Sequence, residues 1–526
     1  MKASATLVGV LTSAGEVSQG GASRAQAQSC HWIEVRADLI PELDPADLRE
    51  RCGGRPVLYT LRSHEEGGHS RLPLAQRHRQ LRMAAEACDF VTLEGERDLV
   101  SDVLKAITPE RRIISWRGSV TGPECLEARL GKYARTPARL FRFEVECGGA
   151  EDGLAALQFL HGARRADVTA YAEGASGGWT RVLAPRLGAP IAFASLREDG
   201  DGVDFEPTIG DLVVEYGLPD LYPAREIFAI VGRPVSGSLS PRLHNATYRA
   251  NGLGRMYLSF STVSFQRFWQ RLVAGGAMER IGLPIKGLTV ASPHKEAALE
   301  VAMHRAPLCR QCVASNLLVR KADGWTASTT DPEGIFHNTT LGRPRPGVKV
   351  AVVGCGGSGR IAAAALSQAG TDVTLVNRGA DRGRWAAGLL GLPFVPLESF
   401  SALGYSALVN ATPLGRNGER FPVTLAELDP RATVVDLVYR PAGETALVEQ
   451  ARALGHHVVD GRLVLLAQTR QQYFLMTGET MPANLARRNL GLPPANGRSD
   501  SRSPHHDQSH VRLAPANFEE GGTDAE

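Results

Sequence analysis

The stretch 347–379, GVKVAVVGCGGSGRIAAAALSQAGTDVTLVNRG, constrains the fold more than any other part of the chain. An apolar run ends in glycines at the spacing GxGxxG (Gly354, Gly356, Gly359), and an alanine-rich periodic stretch and a second apolar run follow. That order reads as strand, tight turn, helix and strand. The first glycine permits the turn, the second lets a pyrophosphate approach the backbone, and the third lets helix and strand pack closely. A helix beginning there aims its free N–H groups at phosphate. The turn 354–359, with Cys355, Gly357 and Ser358 between those glycines, is therefore expected to bind a dinucleotide. At the end of the second strand, where an acidic side chain would hold the ribose of NAD, the chain has Asn377 and Arg378, with Arg382 following. Arginine suits a 2′-phosphate, so the pattern predicts NADP rather than NAD.

A chain of 526 residues exceeds one ordinary domain. Short β-branched runs recur through its first 195 residues, at 5–11, 31–36, 56–62, 89–94, 112–117, 138–146, 166–173 and 190–195. Helix-like stretches such as LAQRHRQLRMAAEAC separate most of them. Strand and helix repeated eight times predict a (β/α)8 barrel whose functional face lies at the carboxyl ends of the strands. Glu34, Arg36, Arg62, Glu94, Arg117 and Arg142 stand near those ends, a spacing that predicts an anion-binding basin. LYPAR (221–225) reads as a linker, and EIFAIVG (226–232) opens a second α/β region. From about 491 the sequence is polar and without period, which predicts a disordered tail over 491–526.

Charge and cysteine content narrow the partners. Net charge is +3, and 59 basic residues are spread among 56 acidic ones without a basic stripe, which argues against nucleic acid. No apolar run approaches membrane length. The start, MKASATLVGVLTSAG, reads as a first strand. Among eight cysteines only Cys309 and Cys312 have metal or redox spacing, with no second pair nearby, and three tail histidines (His505, His506, His510) stand alone. No metal is expected, and the chain reads as cytoplasmic and reduced. Seven lysines against 52 arginines make any well-placed lysine conspicuous. One is Lys295, at a helix start, which with Ser238, Ser240, Asn316 and Asp331 suggests a pocket for a hydroxylated, carboxylated small molecule.

The motifs SGSLSPRLHN, SPHKEA, ASNLL, TTDPEG, GCGGSG, VNR, NATPLG, DLVYRP and DGRLVLLAQ, in that order from 236 to 468, resemble the shikimate dehydrogenases. EVRAD, LRSHEEGG and TRVLAPRLGAPIAFASL before them resemble type I 3-dehydroquinate dehydratases. The two are joined in this order in plant-type bifunctional enzymes. The resemblance implies a barrel over 1–222, a substrate-binding domain over 223–345, and a Rossmann NADP domain over 346–490. It also implies a last helix, about 463–477, that returns to the substrate domain. It implies NADPH-dependent reduction of 3-dehydroshikimate, toward chorismate and the aromatic amino acids, with Lys295 and Asp331 as the catalytic pair. Ser238, Ser240 and Tyr439 would hold the substrate carboxylate, Asn316 and Gln468 the ring hydroxyls, and Leu437 and Gly461 would line the nicotinamide. The chain departs from the family at Thr289, Ala291 and Thr329, and Gly237 stands where a histidine is usual, so quinate or a related hydroxy acid is an alternative substrate.

The barrel departs further. Its chemistry, by resemblance, needs an imine-forming lysine and a proton-shuttling histidine, where this chain has Arg142 and Arg117. A guanidinium offers no nucleophilic nitrogen and no base. Gly202 and Glu206 also replace usual residues, while Glu34, Arg36, Arg62, Glu66 and Arg181 keep the substrate-contact pattern. The barrel is thus expected to be degenerate, beside an active reductase. A bifunctional enzyme and a non-enzymatic sensor of pathway intermediates are the alternatives, and retention of Lys295 and Asp331 weighs against the sensor.

Overall fold

In the computed structural model the described residues are 4–13, 29–40, 44–196, 206–235, 237–337, 339–341, 347–440 and 443–494. Residues 495–526 of the expected tail, including its histidines, and Gly202 lie outside them. Eight parallel strands form the first sheet: β1 (Thr6–Leu11), β2 (Trp32–Arg36), β3 (Val57–Thr60), β4 (Phe90–Glu94), β5 (Arg112–Gly118), β6 (Leu140–Val145), β7 (Val168–Ala172) and β8 (Ile191–Ser195). They follow chain order around a barrel, with β1 paired to both β2 and β8. Between β7 and β8 the closure is by side chain: the Thr169 hydroxyl donates to the Ile191 carbonyl at 3.1 Å.

The period of two along each strand decides what fills the lumen. On β6 the run LFRFEV sends Phe141, Phe143 and Val145 outward into the main core, and Leu140 into an inner cluster with Val8, Trp32, Leu58, Ile113, Ile191 and Phe193. Arg142 and Glu144 share the face of Leu140 and must sit above that apolar layer, near the carboxyl ends. The same alternation carries Glu34 above Trp32 and Ser115 above Ile113. The lumen is packed, apolar below and charged above.

The second sheet comprises β9 (Glu226–Gly232), β10 (Arg255–Ser261), β11 (Ile285–Val290), β12 (His304–Arg305), β13 (Leu317–Lys321) and β14 (Gly324–Ser328), in the order β10-β9-β11-β13-β14-β12. β9, β10 and β11 are parallel, and β13 runs antiparallel to its neighbours. The third sheet comprises β15 (Lys349–Val353), β16 (Asp372–Asn377), β17 (Phe394–Pro396), β18 (Ala407–Asn410), β19 (Thr433–Asp436) and β20 (His457–Val459). All are parallel in the order β17-β16-β15-β18-β19-β20, the doubly wound arrangement that places a ligand where the winding reverses, beside β15.

Barrel and second sheet share one continuous apolar cluster. Trp179 packs edge-on against Phe260 at 5.0 Å, and Thr262 donates to the buried Glu151 at 3.1 Å. The long helix Gly461–Thr477 leaves the third sheet and returns to the second, where Leu465, Leu466, Tyr473 and Met476 join Phe228 and Leu317. Among the described residues no helix is long and apolar enough to cross a membrane. Cys309 and Cys312 are core residues on the short helix Pro307–Cys312, Cys312 packing against Ile361 of the third region.

Candidate active site

The glycine turn joins β15 to helix Gly357–Gln368, as the spacing predicts. Gly354 has φ +108°, a conformation other residues rarely adopt. A Cβ on Gly359 would fall 1.7 Å from the Gly354 carbonyl oxygen, so the helix can start this close to the strand only with glycine there. A Cβ on Gly356 would meet nothing within 4 Å, which leaves the backbone open to an approaching group. The helix has no side-chain cap, and its first-turn N–H groups are left for an anion. The Asn377 side-chain oxygen accepts from the Cys355 N–H at 3.1 Å and so fixes the turn. These features fit the pyrophosphate of a dinucleotide.

Facing the turn, helix Lys295–Glu300 opens after β11 and helix Asp331–Phe336 opens after β14. Lys295 Nζ donates to Asp331 Oδ2 at 2.8 Å and to Ser358 Oγ of the turn at 2.6 Å. Asn316 and Gln468 each donate to the other aspartate oxygen, Oδ1, at 2.7 and 2.8 Å. The Asn316 oxygen is in turn held by the Thr330 N–H at 2.9 Å. Asp331 is buried and Lys295 nearly so, with side chains 3% and 12% exposed. Four residues singled out in the sequence thus meet at one point with the cofactor turn.

Others lie around that point. Ser240 is buried and donates its N–H to Ser238 Oγ at 3.3 Å. Ala291 follows β11, its N–H on the Val231 carbonyl at 2.9 Å. Tyr439 packs on the apolar cluster of the second sheet, carrying the third region across to it. Leu437 donates its N–H to the Asn410 carbonyl, and Gly461 sits so tightly that a Cβ would lie 2.1 Å from the Val438 carbonyl oxygen. Arg378 is exposed at the turn's edge. Arg382, expected to meet a 2′-phosphate, is held instead by Glu296 at 2.5 Å and by the Cys355 carbonyl at 3.3 Å.

Sequence reasoning missed three members of this site, Gln472, Thr330 and Arg360. Thr289 Oγ1 lies 3.3 Å from Gln472 Oε1, and Gln472 Nε2 donates to Thr330 Oγ1 at 3.1 Å, extending the buried network behind Asp331. Gln472 stands four residues after Gln468, one helical turn on, a signal that was legible. The third is Arg360, fully buried, which donates to the Cys312 and Cys355 carbonyls and to Glu296 and ties the third region to the second.

At the barrel mouth every arginine assigned to the expected anion-binding basin has a carboxylate partner. Arg142 donates to Glu34 at 2.6 Å and pairs with Glu144 at 2.7 Å. Arg62 meets Glu144 at 2.6 Å and Glu173 at 2.9 Å. Arg117 meets Glu173 at 2.5 Å and Glu146 at 3.0 Å and donates to the Glu66 carbonyl. Arg36 pairs with Asp38, and Arg181 with Glu206, so the carboxylate at 206 has a cation beside it. Burial opposes the Arg142 charge, but Glu144 and Glu34 outweigh it and hold the guanidinium well above its ordinary range. Burial likewise opposes the Glu144 charge, yet Arg142 and Arg62 keep that carboxyl well below its usual range. Burial and neighbouring Glu144 push Glu173 up to about 7, and burial with Glu94 nearby pushes Glu66 up to about 9. At the edge of this network, between barrel and second sheet, lies a cavity of about 430 Å³ lined by Arg117, Glu146 and Glu173 of the network and by Arg233 and Thr262 among others.

A doubly wound sheet whose glycine turn closes on a lysine–aspartate pair from a neighbouring sheet defines a two-domain dinucleotide-binding protein, here with a (β/α)8 barrel in front. The chain matches the type I 3-dehydroquinase family over residues 11–209 and the shikimate dehydrogenase substrate binding domain over 230–318. The shikimate dehydrogenase (NADP(+)) of Citrifermentans bemidjiense is 34% identical over 272 residues, covering 49% of this chain and 91% of that protein. The chloroplastic bifunctional 3-dehydroquinate dehydratase/shikimate dehydrogenase of Arabidopsis thaliana is 25% identical over 498 residues, covering 88% of this chain and 80% of that protein. The solved dehydroquinate dehydratase and shikimate dehydrogenase of S. pombe AroM is 18% identical, covering 93% of this chain and 98% of that one, with a TM-score of 0.40. The chain belongs to the shikimate dehydrogenase family, fused behind a type I 3-dehydroquinase domain.

Proposed function

We propose that the chain is an NADP-dependent shikimate dehydrogenase, reducing the ketone of 3-dehydroshikimate to the alcohol of shikimate, and that its barrel catalyses no dehydration. The observation that carries the first half is Lys295, paired with Asp331 at 2.8 Å and held against the cofactor turn. The relative from C. bemidjiense, named for this activity and for NADP(+), supports it. When bound, the reduced dinucleotide supplies a hydride to the ketone carbon. An ammonium has three donors. Asp331 and Ser358 take two of Lys295's, and the third serves the ketone oxygen, where negative charge develops. Lys295 then gives that oxygen its proton, while Asp331, fixed by Asn316 and Gln468, keeps the ammonium oriented. Ser238, Ser240 and Tyr439 take the substrate carboxylate, and Arg378 the 2′-phosphate. The working boundaries are 1–222, 223–345 and 346–490. Following NADPH consumption with 3-dehydroshikimate tests this reading: turnover is expected, and a purified, folded chain without it overturns the assignment.

The second half rests on Arg142, which stands at the family's lysine position and is paired with Glu34 and Glu144. Imine formation needs an unprotonated amine, which a guanidinium does not provide. A bifunctional enzyme is the second reading, favoured by the Arabidopsis relative of that name, which spans 88% of this chain. Borohydride added with 3-dehydroquinate separates the two. No adduct is expected within 1–222, whereas a trapped peptide containing Lys105 or Lys132 supports the second reading.

A further inference from the structure

Two residues that open one helix are both gripped by the cofactor turn's side of the molecule. Ser358 takes Lys295, and Arg360 and Arg382 converge on Glu296 at 2.8 and 2.5 Å. The Arg382–Glu296 contact is 50% and 40% exposed on its two sides and contributes little by itself. The Ser358 contact differs, because Lys295 is only 12% exposed there and the backbones have closed in around it. A Cβ on Gly357 would lie 3.0 Å from the Lys295 Cβ and 3.2 Å from the Ala314 Cβ, so glycine at 357 is what lets the turn come this near. Ser358 is the second residue of its helix, so its side chain stands among the free N–H groups that would face phosphate. A serine hydroxyl both accepts and donates. Here it accepts from Lys295, and its own proton remains for another acceptor.

We propose that Ser358 is a positioning residue for Lys295: its hydroxyl accepts from the ammonium and donates to a phosphate oxygen of the dinucleotide, so that filling the cofactor turn and orienting the lysine are one event. Its link to turnover rests on the dehydrogenase reading above. Hydrogen bonds in such a chain reinforce one another, so a phosphate oxygen accepting from Ser358 strengthens the serine's hold on the ammonium. The cofactor half then fixes a lysine of the substrate half with its one uncommitted donor already aimed.

The test uses the full chain and a readout separate from turnover. An ammonium that loses an acceptor gives up its proton more readily. In Ser358→Ala, Lys295 is therefore expected to react with acetic anhydride at fixed pH about threefold to tenfold faster than in the wild type. Peptide mass spectrometry follows Lys295, and the other six of the chain's seven lysines are the internal control. Added NADPH is expected to slow Lys295 acetylation by a larger factor in the wild type than in the variant. With 3-dehydroshikimate, kcat is expected to fall about threefold to tenfold, with its high-pH limb moved to lower pH, and Ser358→Thr to restore labelling and rate. NADPH titration of both variants confirms a folded turn. Equal Lys295 labelling in wild type and Ser358→Ala across the pH range, or a threonine variant no better than alanine, overturns the proposal. If the labelling shifts while the wild type reduces no ketone, the contact stands and the dehydrogenase reading falls.

Discussion

The barrel mouth and the dehydrogenase cleft are both built on cations facing carboxylates at the carboxyl ends of parallel strands, yet they differ in what is left over. At the mouth, Arg62, Arg117, Arg142 and Arg181 meet Glu34, Glu144, Glu146, Glu173 and Glu206, and charge is spent on charge. In the cleft one lysine meets one aspartate, whose second oxygen is satisfied by two neutral amides, and a donor remains. In the barrel each cation is met by a carboxylate, and in the cleft one ammonium donor is left without a partner. Replacement of a lysine by arginine moves a pocket from the second kind to the first, because the planar guanidinium has more donors to satisfy and no basic form to offer.

Substitution sharpens this contrast most in the cleft. Lys295→Ala is expected to lower kcat for ketone reduction by about 10²–10⁴ while NADPH still binds, since the developing alkoxide loses its proton donor. Steady-state kinetics with a parallel NADPH titration check it, and a near-normal kcat breaks the comparison. In the barrel the expected loss is of stability. Arg142→Ala leaves buried Glu34 without its cation and Glu144 with Arg62 alone, and is expected to cost about 3–5 kcal/mol in denaturant unfolding. A cost near zero would mean the network is not what fills the lumen.

A smaller effect separates the cofactors. Arg378→Ala is expected to narrow the preference for NADP over NAD by about tenfold, the worth of a charge-assisted contact at an exposed position. Equal use of NAD by the wild type would show that the end of β16 has been misread. The smallest effect is one of pH. Glu66 and Glu173, raised to about 9 and about 7, keep their protons when folded and lose them when unfolded above the usual 4.5. The folded chain binds more protons across that window, so stability falls as pH rises from about 4.5 to about 9. Glu144 has the opposite sign, its contribution being lost only in acid. Glu66→Gln is expected to flatten the alkaline decline of the thermal midpoint by a few degrees, roughly 2–4 °C per kcal/mol for a unit this size. An unchanged slope would mean that Glu66 is ionised in the folded barrel.

Much of this was legible in the chain. All eight barrel runs became strands within a few residues, because each is short, β-branched and bounded by a helix-like stretch. The glycine spacing located the turn because its geometry admits no side chain at 354 or 359. Lys295, Asn316, Asp331 and Gln468 were each visible, but their convergence was not, since residues 295 and 468 meet only when the last helix returns. The arginines of the barrel were seen and their neutralisation missed. Glu144 lies two residues from Arg142 on the same strand face, while Glu173 reaches Arg62 across 111 residues of chain. Alternation predicts which way a side chain points, and register decides whom it meets. Ser358 was read only as part of a phosphate cradle, because nothing local marks a serine that touches a lysine 63 residues earlier.

The central claim is that one chain holds a site with a donor left uncommitted and a barrel mouth whose cations are all paired. Its most direct test gives the same purified sample 3-dehydroquinate alone in one cell and 3-dehydroshikimate with NADPH in another. The account predicts steady NADPH consumption in the second and no 3-dehydroshikimate in the first, both unchanged by Arg117→His alone. Formation of 3-dehydroshikimate from 3-dehydroquinate by the wild-type chain, at a rate comparable with ketone reduction, would contradict it.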